Sequence, residues 1–108
     1  MNETLKQVSE IVAQANDSFY QRNKNVDTLM GIMDKTLRKQ GLPADAVTID
    51  CAMLDKKIVF LLHDGKPNIV NITSGNKAGD IYASKEQPLK QVSVASVLAL
   101  LEAEFSEQ

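Results

Sequence analysis

The sequence predicts an α+β fold in which an N-terminal helical hairpin packs on a three- or four-stranded antiparallel meander, followed by a C-terminal helix. Apolar residues recur every three or four positions near both ends of the chain, and the middle holds short runs rich in β-branched residues between polar turn clusters. The length of 108 residues, with 44% hydrophobic content, suffices for one core but not for two. We therefore expect a single domain over residues 1–108.

The first helix is predicted from Glu3 to about Arg22, where the apolar positions form one stripe at helical spacing. Asn2 is a suitable N-cap, and the negative charge of Glu3 suits the positive end of the helix dipole. The stripe consists of Leu5, Val8, Ile11, Val12, Ala15, Phe19 and Tyr20.

A second helix is predicted after a polar turn at residues 21–25, and it completes the hairpin. Gly41 is expected just beyond its end, and Pro43 prevents the helix from continuing. Lys35, Arg38 and Lys39 lie near that end, where the helix dipole alone favours cations. The apolar stripe of this helix is Val26, Leu29, Met30, Met33 and Leu37.

The meander is predicted from the segments 47–54, 58–63 and 68–73. A two-residue turn at 55–56 or at 56–57 gives the same division of faces, because side chains alternate along a strand. One face is apolar and should be covered by the helical hairpin: Ile49, Cys51, Met53, Ile58, Phe60 and Leu62. The other face is mixed: Thr48, Asp50, Ala52, Leu54, Val59, Leu61 and His63.

The third strand is expected to add an apolar patch to the mixed face. Either a four-residue loop over 64–67 or a two-residue turn at 64–65 puts Val70 and Ile72 on the side of Leu61 and Val59. We expect this patch to be covered by the C-terminal helix or by a second subunit, and the sequence does not choose between them.

The remaining elements are a short strand and the last helix. Residues 81–84 alternate apolar and polar after a glycine-rich connection and predict a fourth strand at the edge of the sheet. Ser93 is expected to cap the final helix. Its stripe consists of Val94, Val97, Leu98, Leu101 and Phe105.

Charge and cysteine content limit the classes of function. Twelve basic and fourteen acidic residues give a net charge of −2, so the chain lacks the positive field that attracts nucleic acids. Cys51 is the only cysteine, which excludes an intramolecular disulfide. Glu3 and Glu10 are unlike the residues of a signal peptide, and no apolar run is long enough to cross a membrane. We expect a cytoplasmic protein.

His63, Asp50 and Thr48 are the candidate catalytic residues. The predicted pairing of the first two strands places His63 opposite Thr48 or Asp50. A carboxylate beside a histidine can orient the ring and raise its pKa, as a general base requires. The simpler interpretation is a solvated histidine next to an Asp-Gly turn.

Two further sequence features are candidate sites. Gly75, Lys77 and Gly79 form a candidate anion-binding loop, although the loop joins two predicted strands and matches no phosphate-binding motif, which favours an ordinary hairpin loop. Cys51 is expected on the opposite face from His63, so the two cannot form a catalytic pair or a zinc site. We expect no metal and no cofactor.

By elimination, the sequence favours binding over catalysis. We expect a small regulatory, adaptor or partner-inhibiting protein that binds a protein partner or itself as a homodimer. Its expected contact surface is Val59, Leu61, Val70 and Ile72. The alternative is a small-ligand-binding protein or a hydrolytic enzyme that uses the three candidate catalytic residues at the sheet edge. Nucleic-acid binding ranks last.

Overall fold

A computed structural model describes residues 2–106, which form an antiparallel five-stranded sheet and two long helices. The strands lie in the order of the sequence, so the sheet is a meander, as predicted. The elements are α1 (Glu3–Arg22), β1 (Leu29–Met33), α2 (Thr36–Lys39), β2 (Ala44–Cys51), β3 (Lys56–His63), β4 (Ile69–Gly75), β5 (Ile81–Pro88) and α3 (Val94–Phe105). Short 3₁₀ turns lie at Ala52–Leu54 and Leu89–Gln91.

The two terminal helices form where the sequence predicts them. The Asn2 side chain accepts a hydrogen bond from the Leu5 amide at 2.7 Å and caps α1. Ser93 and Ser96 form a reciprocal capping box at the start of α3. The rings of Phe19 and Phe105 meet edge to face with centroids 6.2 Å apart, so the two helices pack against each other.

The predicted second helix is wrong, because most of it is the strand β1. Leu29 pairs with Asp50 and Met33 pairs with Ala46 along β2. The apolar spacing in this segment fits a helix, but pairing with β2 overrides it, and Gly31 costs stability in a helix interior. Helix survives only in the single turn α2, after which Gly41 adopts a φ of +91° just beyond the helix end, as predicted.

The turn between β2 and β3 is longer than predicted. The strand β2 ends at Cys51, and the chain reverses through a 3₁₀ turn and Asp55, whose φ of +49° is left-handed. Both the expected and the observed connection contain an even number of residues, so the predicted faces are confirmed for the paired residues of β2 and β3. They are wrong for the turn, where Met53 is 58% exposed and Leu54 packs against the core. The register is also offset, and His63 pairs with Ala44.

The prediction that Val70 and Ile72 join the mixed face is wrong. The loop after β3 runs from Asp64 to Asn68, one residue more than the longer of the two expected loops. An added residue exchanges the faces of the next strand, so Ile72 pairs with Phe60 and points to the helices. Val70 is fully buried in the core, and Ile72 is 4% exposed.

The C-terminal helix does not cover the mixed face, which was one of the two expectations. Buried residues of α1 and α3 share one core cluster with one face of the sheet. That face contributes Val47, Ile49, Cys51, Ile58, Phe60, Leu62, Val70 and Ile72. The edge strand predicted at 81–84 is confirmed and extends to Pro88 as β5. No helix within residues 2–106 combines the length and the apolarity needed to cross a bilayer.

The register of β4 can be tested with one charge placed on either face. We expect Val70→Asp to lower the free energy of unfolding by more than about 3 kcal/mol, because the carboxylate would be buried in the core without a partner. Thr73→Asp lies on the other face of β4 and should cost less than about 1 kcal/mol. Urea denaturation measures both. The reverse order of the two variants would contradict the observed register.

Candidate functional site

The side of the sheet turned away from α1 and α3, which we call the open face, is the main candidate site. The core cluster contains no side chain from this face, whereas both helices contribute to that cluster. The cross-strand pairs assign these side chains to it: Leu29, Met33, Ala44, Ala46, Thr48, Asp50, Lys57, Val59, Leu61, His63, Ile69, Asn71, Thr73, Ser84 and Glu86. Three of them on β2 are nevertheless buried, namely Ala44, Ala46 and Thr48.

The middle of the open face combines aliphatic and neutral polar groups. Val59 and Leu61 are partly exposed on β3. Thr73 lies opposite Val59, and its hydroxyl donates to Asn71 Oδ1 at 2.9 Å. The Thr73 hydroxyl also lies 3.4 Å from the Ser84 hydroxyl on β5. Short polar side chains therefore flank a small aliphatic strip.

One end of the open face holds a hollow of about 420 Å³. Leu61, Ile69 and Asn71 line it together with His63. Lys66 and Glu86 also border the hollow, and an ion pair of 2.9 Å joins Lys66 Nζ to Glu86 Oε2. The volume is within the range of small-molecule sites, and a single large side chain of another protein would also fit.

The ring of His63 is oriented by the backbone of the turn that follows it. Its Nδ1 accepts a hydrogen bond from the Gly65 amide at 2.9 Å. An accepting Nδ1 carries no proton, so the neutral ring carries its proton on Nε2. His63 therefore contributes one hydrogen-bond donor to the lining of the hollow.

The register does not bring the three candidate catalytic residues together, and the pairing predicted for His63 is wrong. Thr48 pairs with Val59, and Asp50 pairs with Lys57, while His63 pairs with Ala44. At a rise of about 3.4 Å per residue, His63 is about 14 Å from the level of Thr48 and about 20 Å from that of Asp50. These side chains share a face but cannot exchange a proton directly.

The carboxylate next to His63 in the chain belongs to an ion-pair cluster. Arg38, on α2, donates through Nη1 and Nη2 to the two oxygens of Asp64 at 2.8 and 2.9 Å. Its Nε and Nη2 donate to Asp45 Oδ1 and Oδ2, both at 3.0 Å. Asp45 is only 3% exposed and accepts a third bond, from Asn2 Nδ2 at 2.9 Å. One guanidinium therefore neutralises a buried and an exposed carboxylate.

These contacts shift the protonation equilibria of the cluster. Hydrogen bonds from Arg38 hold the pKa of Asp64 below its ordinary value of 3.8. The hydrogen bonds to Asp64 and Asp45 raise the pKa of Arg38. The sequence attributes Arg38 to a helix dipole and contains no spacing signal that would join it to Asp64, which is distant in the chain.

The glycine-rich loop between β4 and β5 is closed by its own hydrogen bonds. The amides of Asn76, Gly79 and Asp80 donate within the loop, and the Lys77 amide donates to Asp55 Oδ1 at 3.3 Å. The candidate anion site at Gly75, Lys77 and Gly79 thus has most of its amides engaged, and the carboxylates of Asp55 and Asp80 lie beside it. This geometry favours the hairpin-loop interpretation.

The helix-covered face holds Cys51, which is fully buried and lies on the opposite side of the sheet from His63, as predicted. Among residues 2–106, no group of three or more His, Cys, Asp and Glu side chains is placed to hold a metal ion. A second hollow, of about 630 Å³, lies at the other end of the sheet, where Asp50, Lys57 and Lys77 help to line it. The open face between the two hollows is the main candidate site.

The ionised Asp64 should make the stability of the protein depend on acid pH. Because the pKa of Asp64 is lower in the folded chain than its ordinary value of 3.8, the pair with Arg38 stabilises the fold above that pH. This contribution is lost as the pH falls through the lower pKa of the folded state. We expect the urea midpoint of the wild type to exceed that of Asp64→Asn at neutral pH, and the two midpoints to converge on acidification.

Glu10→Gln is the matched control for this titration, because Glu10 is exposed on α1 and takes part in no ion pair found within residues 2–106. Its midpoint should follow that of the wild type at every pH. A difference between the wild type and Asp64→Asn that is independent of pH would contradict the role assigned to Asp64.

Removing Arg38 should be more damaging than removing the charge of Asp64. Arg38→Met leaves the buried carboxylate of Asp45 without a cation, whereas Asp64→Asn leaves the ion pair between Arg38 and Asp45 intact. We expect the urea midpoint to fall further for Arg38→Met. Double substitution with Asp45→Asn should recover part of the loss, and a lack of recovery would show that the pair contributes little.

Comparison of the chain with protein-family models, with curated proteins and with solved structures finds no match in any of the three. The functional argument therefore depends on the geometry of this chain alone.

Proposed function

We propose that this protein is a small cytoplasmic interaction module, of a regulatory, adaptor or partner-inhibiting kind, that acts as a homodimer and binds a protein partner through the open face. One observation carries the proposal. Both α1 and α3 pack on the same side of the sheet, so neither covers Val59 and Leu61 on the other. An aliphatic strip that the long helices leave open is a surface suited to another protein.

The chemistry of the open face fits a partner that binds reversibly. Interfaces of this kind have an apolar centre, a polar rim and few charges in the middle. Val59 and Leu61 supply the centre, while the Lys66–Glu86 pair lies at the rim. The hollow beside Leu61 offers a socket for one anchoring side chain of the partner.

Binding is favoured over catalysis because the polar groups of the open face are dispersed. His63 lies about 20 Å from the level of Asp50, and the nearer Asp64 is occupied by Arg38. The cytoplasmic part of the proposal is supported by the cysteine content, because Cys51 is the only cysteine and the chain therefore forms no internal disulfide.

A small-molecule site in the hollow is the second candidate. Its volume of about 420 Å³ and the Nε2–H donor of His63 favour it. The test is an NMR screen with small fragments. A ligand site would be supported if a fragment changes the chemical shifts of the Gly65 and Lys66 amides in the wild type but not in His63→Ala. Shifts that spread over Val59 and Thr73 instead would indicate the broader protein-binding surface.

Partner binding can be tested by photo-crosslinking in cells that naturally make the protein. A photoreactive residue at Thr73, on the open face, should give adducts that are identified by mass spectrometry. We expect Leu61→Glu to lower their yield at least about tenfold, because the buried centre of an interface does not tolerate an unpaired charge. The melting temperature should change by less than about 5 °C, since Leu61 is partly exposed.

Two controls make the crosslinking result decisive. The same photoreactive residue at Gln14, exposed on α1, should give no adduct that depends on Leu61, and Gln14→Glu should leave the adducts at Thr73 unchanged. Adducts that persist in Leu61→Glu would contradict binding at the open face. Unfolding of Leu61→Glu would show that the strip belongs to the core.

A further inference from the structure

The two edge strands of the sheet differ in how they resist pairing with another strand. The edge strand β5 contains Lys85, Glu86 and Pro88, and its ladder with β4 is interrupted by a bulge at Ser74/Gly75. Charges, prolines and bulges are the devices that keep a sheet edge from adding a strand. The other edge, β1, has the sequence Leu-Met-Gly-Ile-Met and none of these devices.

The edge β1 also exposes large apolar side chains and unpaired backbone. Leu29 is 73% exposed and Ile32 is 42% exposed. Within residues 2–106, the backbone groups of β1 bond only to β2. At the centre of the strand lies Gly31, where an added Cβ would lie 2.9 Å from the Thr48 hydroxyl of β2, so the glycine is explained by the packing of the sheet itself. An added strand would bury these side chains and satisfy the free backbone groups.

Symmetry restricts how two β1 strands can pair. Successive residues of a strand point their N–H and C=O groups alternately towards β2 and towards the free edge. In a symmetric antiparallel pair, the twofold axis must therefore pass between one residue and its own copy, because an axis between two successive residues would oppose an outward-pointing residue to an inward-pointing one. Centred on Gly31, the pairing sets Leu29 of one copy opposite Met33 of the other, and Met30 opposite Ile32. Every side-chain pair in the strand is then apolar.

The same centre brings opposite charges together at both ends of the strand. Asp27 lies two residues before β1, and Lys35 lies two residues after it, where the chain bends into α2, so the pairing brings Asp27 of one copy to the same end as Lys35 of the other. Both are exposed, and neither forms an ion pair within the described part of the chain. Moving the centre to Met30 sets Asp27 opposite Met33, and moving it to Ile32 sets Lys35 opposite Leu29.

We propose that two copies of this chain pair through their β1 strands, antiparallel and centred on Gly31, with Asp27 of each copy at the same end as Lys35 of the other. The inference rests on the homodimer of the proposed function and names its interface. Directly opposed residues of an antiparallel pair point to the same side of the sheet. The two open faces therefore join into one continuous surface, with the helices of both copies on the opposite side.

The test is the solution mass of the full chain, measured by light scattering over a concentration series. Ile32→Lys places a charge in the apolar edge and should raise the dimer dissociation constant at least about tenfold. Ala83→Lys is the matched control, because Ala83 is exposed on the other edge strand, and it should leave the dissociation constant unchanged.

Charge exchange tests the register without disturbing the core. Asp27→Lys sets two lysines opposite each other, and Lys35→Asp sets two aspartates opposite each other, so each variant alone should dimerise more weakly than the wild type. An equal mixture of the two restores an opposite-charge contact at both ends of a heterodimer. We expect the mixture to dimerise more tightly than either variant alone, and to lose that advantage at high salt.

Each contrary result has a distinct meaning. A dimer that survives Ile32→Lys but is broken by Leu61→Glu places the interface on the open face, which overturns the β1 pairing and leaves the homodimer standing. A mixture no tighter than its components overturns the register centred on Gly31. A wild type that is monomeric at every concentration overturns both the pairing and the homodimer, while binding of a different partner is decided by the crosslinking at Thr73.

Discussion

The neutralisation of one buried carboxylate ties together the parts of this fold that are distant in the sequence. Asp45, the second residue of β2, is almost without solvent contact and is neutralised by Arg38 from α2, while Asn2 joins it to the first turn of α1. The same guanidinium holds Asp64, the first residue after β3. A second bond, from the Asp64 amide to the Pro43 carbonyl at 2.9 Å, holds the end of β3 beside the start of β2.

This cluster holds the first residue of the loop after β3, and the length of that loop decides which residues enter the core. With Asp64 held in place, the chain reaches β4 at Ile69 after an odd number of residues. Val70 and Ile72 therefore face the helices, whereas Asn71 and Thr73 face outward. The difference between a core strand and a surface patch is thus one residue of loop.

The sequence predicts the elements whose signals are local. The stripe from Leu5 to Tyr20 and the Asn2 cap define α1, and Ser93 marks the start of α3, because helix periodicity and capping depend on neighbouring residues. The faces of β2 and β3 also follow, since only the parity of the turn matters. The features that the sequence does not predict depend on contacts between residues distant in the chain. The segment β1 becomes a strand through contact with β2, and the cluster of Arg38 with Asp45 and Asp64 exists only after folding.

In the candidate site, too, the sequence predicts the local features and not those that depend on distant residues. Sequence reasoning places Thr48, Asp50 and His63 on one face correctly, but their spacing along that face depends on a register offset created by the 3₁₀ turn after Cys51. Val59 and Leu61 keep their predicted position, and Val70 and Ile72 are replaced there by Asn71 and Thr73. The predicted contact surface of four apolar residues is therefore half polar, which suits reversible contact better than permanent burial.

The position of Cys51 gives the molecule an internal reporter. The only thiol of the chain lies fully buried between the sheet and the helices, where a water-soluble alkylating reagent cannot reach it. Modification then requires the helices to separate from the sheet, so the rate of alkylation measures how often the core opens under native conditions. A ligand that binds only the folded state, or self-association of the folded state, would slow alkylation according to the stability that it adds.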